Sequence, residues 1–266
     1  MTVIIDLTPI RDGTGPARLL DMVKGRSKQV FKQWLAARPQ ARRHGVEVVA
    51  MDGFTGFKTA TAEARPDTAC VMPPFHVVRL AREALDRSHR RVQQDLHGHR
   101  GRAGDPLYPA RRTLHTGAGL LPDKHAASVQ VPFAVNEHAP VEATWGIYQR
   151  MITAYGHEDH AQGRALMSAV VDSLRRGVPA APTELVTLGR TLIERAADLL
   201  AFFDLPGTSN GPTEAIKGTP PRLRPRLPQP HSYITRSPLE ASGFRPRLHP
   251  QLRRARLRGG LRLRNK

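Results

Sequence analysis

Apolar and polar positions follow two regimes along the chain. In roughly the first 76 residues the apolar runs are short, β-branched and bounded by turn residues. Thr2-Val3-Ile4-Ile5-Asp6-Leu7 has the composition of a strand. Thr8-Pro9 and the cluster Asp12-Gly13-Thr14-Gly15-Pro16 predict a turn after it. Residues 18–23 predict a second strand in a hairpin with the first, broken by Lys24-Gly25-Arg26. Ser27 is placed to cap a helix that carries Val30, Phe31, Trp34 and Leu35 on one face, in a region closed by Gly45. Residues 46–51 predict a buried strand running into Asp52-Gly53. Residues 55–64 predict a short helix, and residues 68–72 a last strand ended by Pro73-Pro74.

From Val77 the apolar period lengthens to that of a helix. Val77, Val78, Leu80, Ala81, Ala84 and Leu85 form one stripe, and Trp145, Ile147, Tyr148, Met151 and Ile152 a second. Ala165, Leu166, Ala169, Val170 and Leu174 form a third, and a long fourth runs from Leu185 to Phe203. A basic loop lies near residues 97–112, and no internal repeat is evident. Strands separated by helical segments predict an α/β sheet with some parallel pairing, followed by an all-helical segment at about 77–204.

Charge divides the chain again. Its 266 residues carry a formal +18, with a pI near 11.3. Residues 217–266 hold 14 Lys+Arg against one acid, Glu240, and eight prolines. Proline at that density excludes long helices and central strands, and like charges repel, so this tail predicts as disordered or extended. Arg253, Arg254, Arg256 and Arg258 form a basic arm suited to phosphate contacts. The same composition also arises from a slipped reading frame in GC-rich DNA, so the tail reads either as a nucleic-acid arm or as sequence without a selected role. The balance sets aside an ordinary neutral metabolic enzyme and favours nucleic acid as partner. Cys70 alone excludes an intramolecular disulfide framework and reads as a small buried apolar residue. No apolar run approaches the roughly 20 residues that span a bilayer. The N-terminal residues lack a basic region and cleavage site, so the chain reads as soluble and intracellular.

Three acids are candidates for chemistry. Asp52 ends an apolar strand, where functional groups of open α/β sheets collect and where a carboxylate can hold a divalent cation. An Asp-Gly pair also simply begins a turn. Asp6 is either an inward carboxylate or the start of the Thr8-Pro9 turn. Glu214 follows Ser209-Asn210, either of which could cap a helix and place the glutamate in its first turn, where an acid suits the helix dipole. His157-Glu158-Asp159-His160 and His97-Gly98-His99 look metal-like in composition but read as solvated loops. Gly13-Thr14-Gly15 is no dinucleotide fingerprint, since Pro16 follows and the third glycine is missing. Neither a nucleophile elbow nor a phosphate-binding loop is present.

The segments VVAMDGFTGFKTAT, PFHVVRLAREALD and GTSNGPTEAI, with YITRSPLEASGFRPRLHP near the end, occur in that order. Together they resemble a bacterial insertion-sequence transposase of the DDE type, in the ISL-three family. The resemblance runs from Thr2 to about His249. It implies a ribonuclease-H-like mixed sheet interrupted by a helical insertion. It also implies two aspartates and a glutamate that bind two Mg²⁺ or Mn²⁺ ions for in-line attack on a DNA phosphodiester. Glu214 matches the family glutamate, and Asp52 is the choice for the second aspartate.

The family's first aspartate lies on a strand upstream of the one matching residues 2–7. The resemblance therefore places it, with the zinc-binding and helix-turn-helix segments, before Met1, and Asp6 falls one strand late. Pro73 stands where the family has an aspartate before the Phe75-His76 pair, and Lys217 stands where it has an asparagine after the glutamate. The block after Lys217 departs from the family pattern, which resumes at Tyr233, as a pair of compensating frameshifts would leave it. The expected organisation is a first part of the catalytic core at 1–76, a helical insertion at 77–204, a return to the core at 205–217 and the basic tail at 218–266. The expected partner is DNA, with self-association left open, no membrane and no small-molecule substrate, in the bacterial cytoplasm at the nucleoid. The expected activity is strand cleavage and transfer, impaired in this copy; the alternative is a non-catalytic basic DNA-binding remnant.

Overall fold

The computed structural model describes residues 1–177, 181–209 and 211–213. Glu214, the basic arm at Arg253, Arg254, Arg256 and Arg258, and the tail from residue 218 lie outside the described residues. The described chain is mixed α/β, mostly helical with small sheets, and falls into two units. One holds Met1–Gly25 together with residues 211–213; the other holds Arg26–Asn210.

In the smaller unit β1 (Thr2–Asp6) pairs antiparallel with β2 (Arg18–Val23), with Thr2 opposite Val23, Asp6 opposite Arg18 and a bulge between Ile4 and Ile5. The predicted hairpin is therefore formed. Its connection contains a one-turn helix, α1 (Thr8–Arg11), where the sequence predicted only a turn. Pro9 permits this, because the first helical residues need no amide donor and proline's fixed φ suits them. Gly25 closes the hairpin at φ +101°, a conformation that favours glycine, and its carbonyl accepts the Thr2 hydroxyl at 2.8 Å.

The larger unit opens with α2 (Lys28–Ala36), capped as predicted: the Ser27 hydroxyl accepts the Val30 amide at 3.2 Å. After α3 (Gln40–His44) come β3 (Val48–Ala50), α4 (Thr55–Ala64) and β4 (Ala69–Val71). β3 and β4 are parallel, with Val48 opposite Ala69 and Ala50 opposite Val71. Both strands are shorter than the sequence predicts. Bonding continues past the ladder, from the Ala69 amide to the Glu47 carbonyl and from the Met51 amide to the Val71 carbonyl. The pair stops where Pro73 ends the second strand. The four strands form two separate two-stranded sheets, not one mixed sheet. Cys70 is half-buried rather than buried, because β4 has only one strand neighbour.

Helices follow, as the lengthened period predicts: α5 (Pro74–His97), α6 (Asp123–Phe133), α7 (Ala139–Gly156), α8 (His160–Arg175), α9 (Thr183–Glu194) and α10 (Ala196–Asp204). Pro74 starts α5 and Gly98, at φ +70°, ends it. The main core lies among these helices, on residues such as Leu85, Met151, Met167, Leu192 and Leu199, and it reaches Met72 at the end of β4. A smaller core joins α2 to α4 through Phe31, Leu35 and Ala60, with Phe57 edge-on to Phe31.

Glu63 on α4 fastens that smaller core from outside, accepting Lys28 at 2.5 Å and Lys32 at 2.8 Å. Those hydrogen bonds, Lys28 first, lower its carboxyl from an ordinary 4.5 to about 2. A lowered carboxyl contributes stability above its unfolded value and loses it as pH falls through the folded one. Because Glu63 is exposed and water screens its ion pairs, Glu63→Gln is expected to lower the melting temperature only slightly at pH 7, with the difference shrinking below pH 4.5 and lost below about pH 2. Melting curves of both proteins across that range check it.

Candidate active site

Asp52 stands just past the carboxyl end of β3, where the chain leaves the parallel pair for α4. It is 8% exposed. Its Oδ1 accepts the Phe54 amide at 3.0 Å, forming the turn that an Asp-Gly pair predicts, and its Oδ2 accepts the Arg26 guanidinium at 2.6 Å. Arg26 also lies over the Phe54 ring, 5.7 Å from its centroid. A Cβ on Gly56 would stand 2.4 Å from that ring, so glycine lets Phe54 fold back over the clasp. Both oxygens of the carboxylate thus have donors, one of them a full positive charge.

Asp6 lies in the smaller unit, at the end of β1. Its Oδ1 accepts the Thr8 amide at 2.9 Å and its Oδ2 accepts Arg18 across the hairpin at 2.8 Å. Burial alone would raise this carboxyl, but the bonds from Thr8 and Arg18 outweigh burial and lower it. The Thr8 bond places Asp6 at the start of the segment that carries Thr8 and Pro9.

The residues of the histidine clusters make local contacts. Asp159 caps α8, accepting the Ala161 amide at 2.8 Å, and His160 bonds the Phe203 carbonyl at 3.2 Å. His97 and His99 stack on each other with centroids 5.8 Å apart. Among the described residues no group of three His, Cys, Asp or Glu side chains is placed to hold a metal ion.

Sequence reasoning missed Asp198, the most enclosed acid near the parallel pair. It lies in the first turn of α10 and is 4% exposed. Its carboxylate accepts Lys58 of α4 through both oxygens, at 3.0 and 2.9 Å, and accepts Nε of Arg195, itself 6% exposed. Its backbone carbonyl accepts the Met72 amide at 3.0 Å, just past β4. The cluster reaches Cys70: burial first, then the Asp198 charge, pushes its thiol up, against Lys58 and Arg195. The available signal was an acid and a base three residues apart inside the longest apolar stripe.

The order of elements, with an acid ending the first strand of the parallel pair, now meets the comparison with known families. The sequence profile of the ISL-three DDE family, described as transposase, matches residues 1–219. The chain belongs to this transposase family. No curated protein and no solved structure matches it significantly. Transposases act on DNA, and the family generally uses divalent metal ions. No helix among the described residues is long and apolar enough to cross a membrane.

Proposed function

We propose that this transposase chain acts on DNA by the DDE route and that its metal-dependent strand cleavage and strand transfer are impaired in this copy. Asp52 and Glu214 are the carboxylates assigned to the reaction, with Asp6 the nearest stand-in for a first aspartate. A ribonuclease-H-like arrangement belongs to this reading. It is supported by the order β1, α1, β2, α2, α3, β3, α4, β4, with an antiparallel first pair and a parallel second pair. Residues 1–76 are read as the first part of the catalytic core, 77–204 as its insertion, 205–217 as the return to it and 218–266 as a basic tail.

The observation that carries the impairment is the clasp on Asp52. A two-metal site needs carboxylates whose negative charge faces the cations. Here one oxygen of Asp52 is held by Arg26 and the other by a backbone amide. Asp6 is likewise held by Arg18 and the Thr8 amide. The described carboxylates do not fit a pair of divalent cations.

A Mn²⁺ titration of the purified chain followed by paramagnetic resonance tests this, with Asp52→Ala, Glu214→Ala and Arg26→Ala beside the parent. Weak binding, indifferent to Asp52→Ala and Glu214→Ala, is the expected result. Arg26→Ala is expected to strengthen binding by freeing the second oxygen of Asp52. Tight binding by the parent, lost in both acid variants, would overturn the impairment and leave the transposase reading intact.

A further inference from the structure

One strongly basic segment of the chain includes a long helix. Residues 74–120 hold nine arginines and four acids. Helix α5 begins that segment, and its acids are already engaged. Glu83 faces Arg79 at 3.5 Å, and Asp95 faces Arg91 at 3.1 Å, while Arg91 also bonds Glu184 of α9. Asp86 is taken by His115, whose Nε2 lies 2.9 Å from its carboxylate. That pairing decides the character of the face. Arg82, Asp86 and Arg90 lie four residues apart, on one row of the helix. With its carboxylate turned to His115, Asp86 forms no ion pair with the arginine on either side of it.

Arg82 and Arg90 are both exposed, and neither makes an ion pair among the described residues. They stand about 12 Å apart along the helix axis. The segment that brings His115 to α5 also carries exposed Arg112. It is braced on α7, where the Tyr148 hydroxyl donates to the His115 carbonyl at 2.9 Å and the Gln149 amide donates to the Thr116 carbonyl at 2.9 Å. A helix with unpaired guanidinium groups, whose acids are bonded to other residues, is built to meet a row of phosphates.

We infer that the outer face of α5, through Arg82 and Arg90 with Arg112 beside them, is a binding surface for the phosphate backbone of duplex DNA. The choice of DNA rests on the transposase reading; the surface itself rests on the unpaired charge. It reads no base sequence and holds the duplex to the helical unit.

The test is the affinity of the full chain for a labelled duplex of mixed sequence, followed by fluorescence anisotropy against salt, with a chelator present. Arg82→Ala/Arg90→Ala is compared with Arg176→Ala/Arg190→Ala, a control that removes the same charge from exposed positions at the end of α8 and on α9. The α5 double variant is expected to bind about tenfold more weakly at ~50 mM salt and to lower the log–log salt slope by about 1.8. The control is expected to keep the parent slope. Equal losses in the two double variants, or an unchanged slope in the first, would overturn the surface. All four positions are exposed, and circular dichroism confirms folding; should alanine perturb α5, Arg82→Gln/Arg90→Gln gives the same comparison. Because metal is chelated, this outcome is independent of the Mn²⁺ result, and either proposal can fail alone.

Discussion

Replacing Asp198 with alanine is expected to destabilise the Arg26–Asn210 unit by about 3–5 kcal/mol, among the largest effects of any single substitution. The carboxylate is the only acid bonded to Arg195 among the described residues, and Arg195 is 6% exposed. Removing it leaves a buried guanidinium without a counter-charge, and Nη2 of that arginine already has no hydrogen-bond partner among the described residues. Lys58 adds less, because its side chain is 37% exposed and water can solvate it once released. The two partners therefore separate in a denaturation series. Lys58→Met is expected to cost about 1 kcal/mol or less, and Asp198→Ala several times as much. Urea unfolding followed by circular dichroism measures both. Equal costs would mean that Arg195 does not depend on Asp198.

Gly163→Ala is expected to destabilise, although at an open helix position the same change stabilises by about 1 kcal/mol. Gly163 lies in the first turns of α8, where a Cβ would come 2.7 Å from the Ala154 carbonyl oxygen of α7 and 2.8 Å from the Phe203 ring of α10. The first contact is backbone, so the helices must part, and overpacking of this kind costs about 1–3 kcal/mol beyond the propensity gained. Gly146→Ala on α7 is the matched control. It is also helical, and nothing lies within 4 Å of its added Cβ. Melting temperatures are expected to move in opposite directions for the two variants, down at 163 and up at 146. A rise at both would mean that α7 and α8 do not pack at the observed distance.

Much of this architecture is legible in the sequence where local chemistry decides it. The Ser27 cap, the helix over residues 55–64 and the long helical stripes depend on residues within a few positions of one another, and the structure forms them there. Elements set by a partner are read less well. The β-branched run at 46–51 predicts six strand residues, but only Val48–Ala50 form the regular ladder, because its length is limited by the brief run before Pro73 on the other strand. The candidate site divides the same way. Asp52 is visible as an acid ending an apolar run. Its neutralisation by Arg26 is not visible, since that pair joins positions 26 residues apart. Asp198 is hidden for a simpler reason: helical periodicity marks apolar positions and passes over an acid whose partner is on another element.

The bond between Lys58 and Asp198 also has a consequence in time. The two residues are 140 positions apart. At about 5–20 residues per second, Lys58 is synthesised roughly 7–28 s before its carboxylate partner. The Met72 amide likewise waits for the Asp198 carbonyl, so the edge of β4 stays open while the helices between are still being made. The parallel pair comes early in the sequence, yet it is completed late in synthesis. The growing chain must keep that edge solvated, or shielded by a chaperone, until α10 arrives.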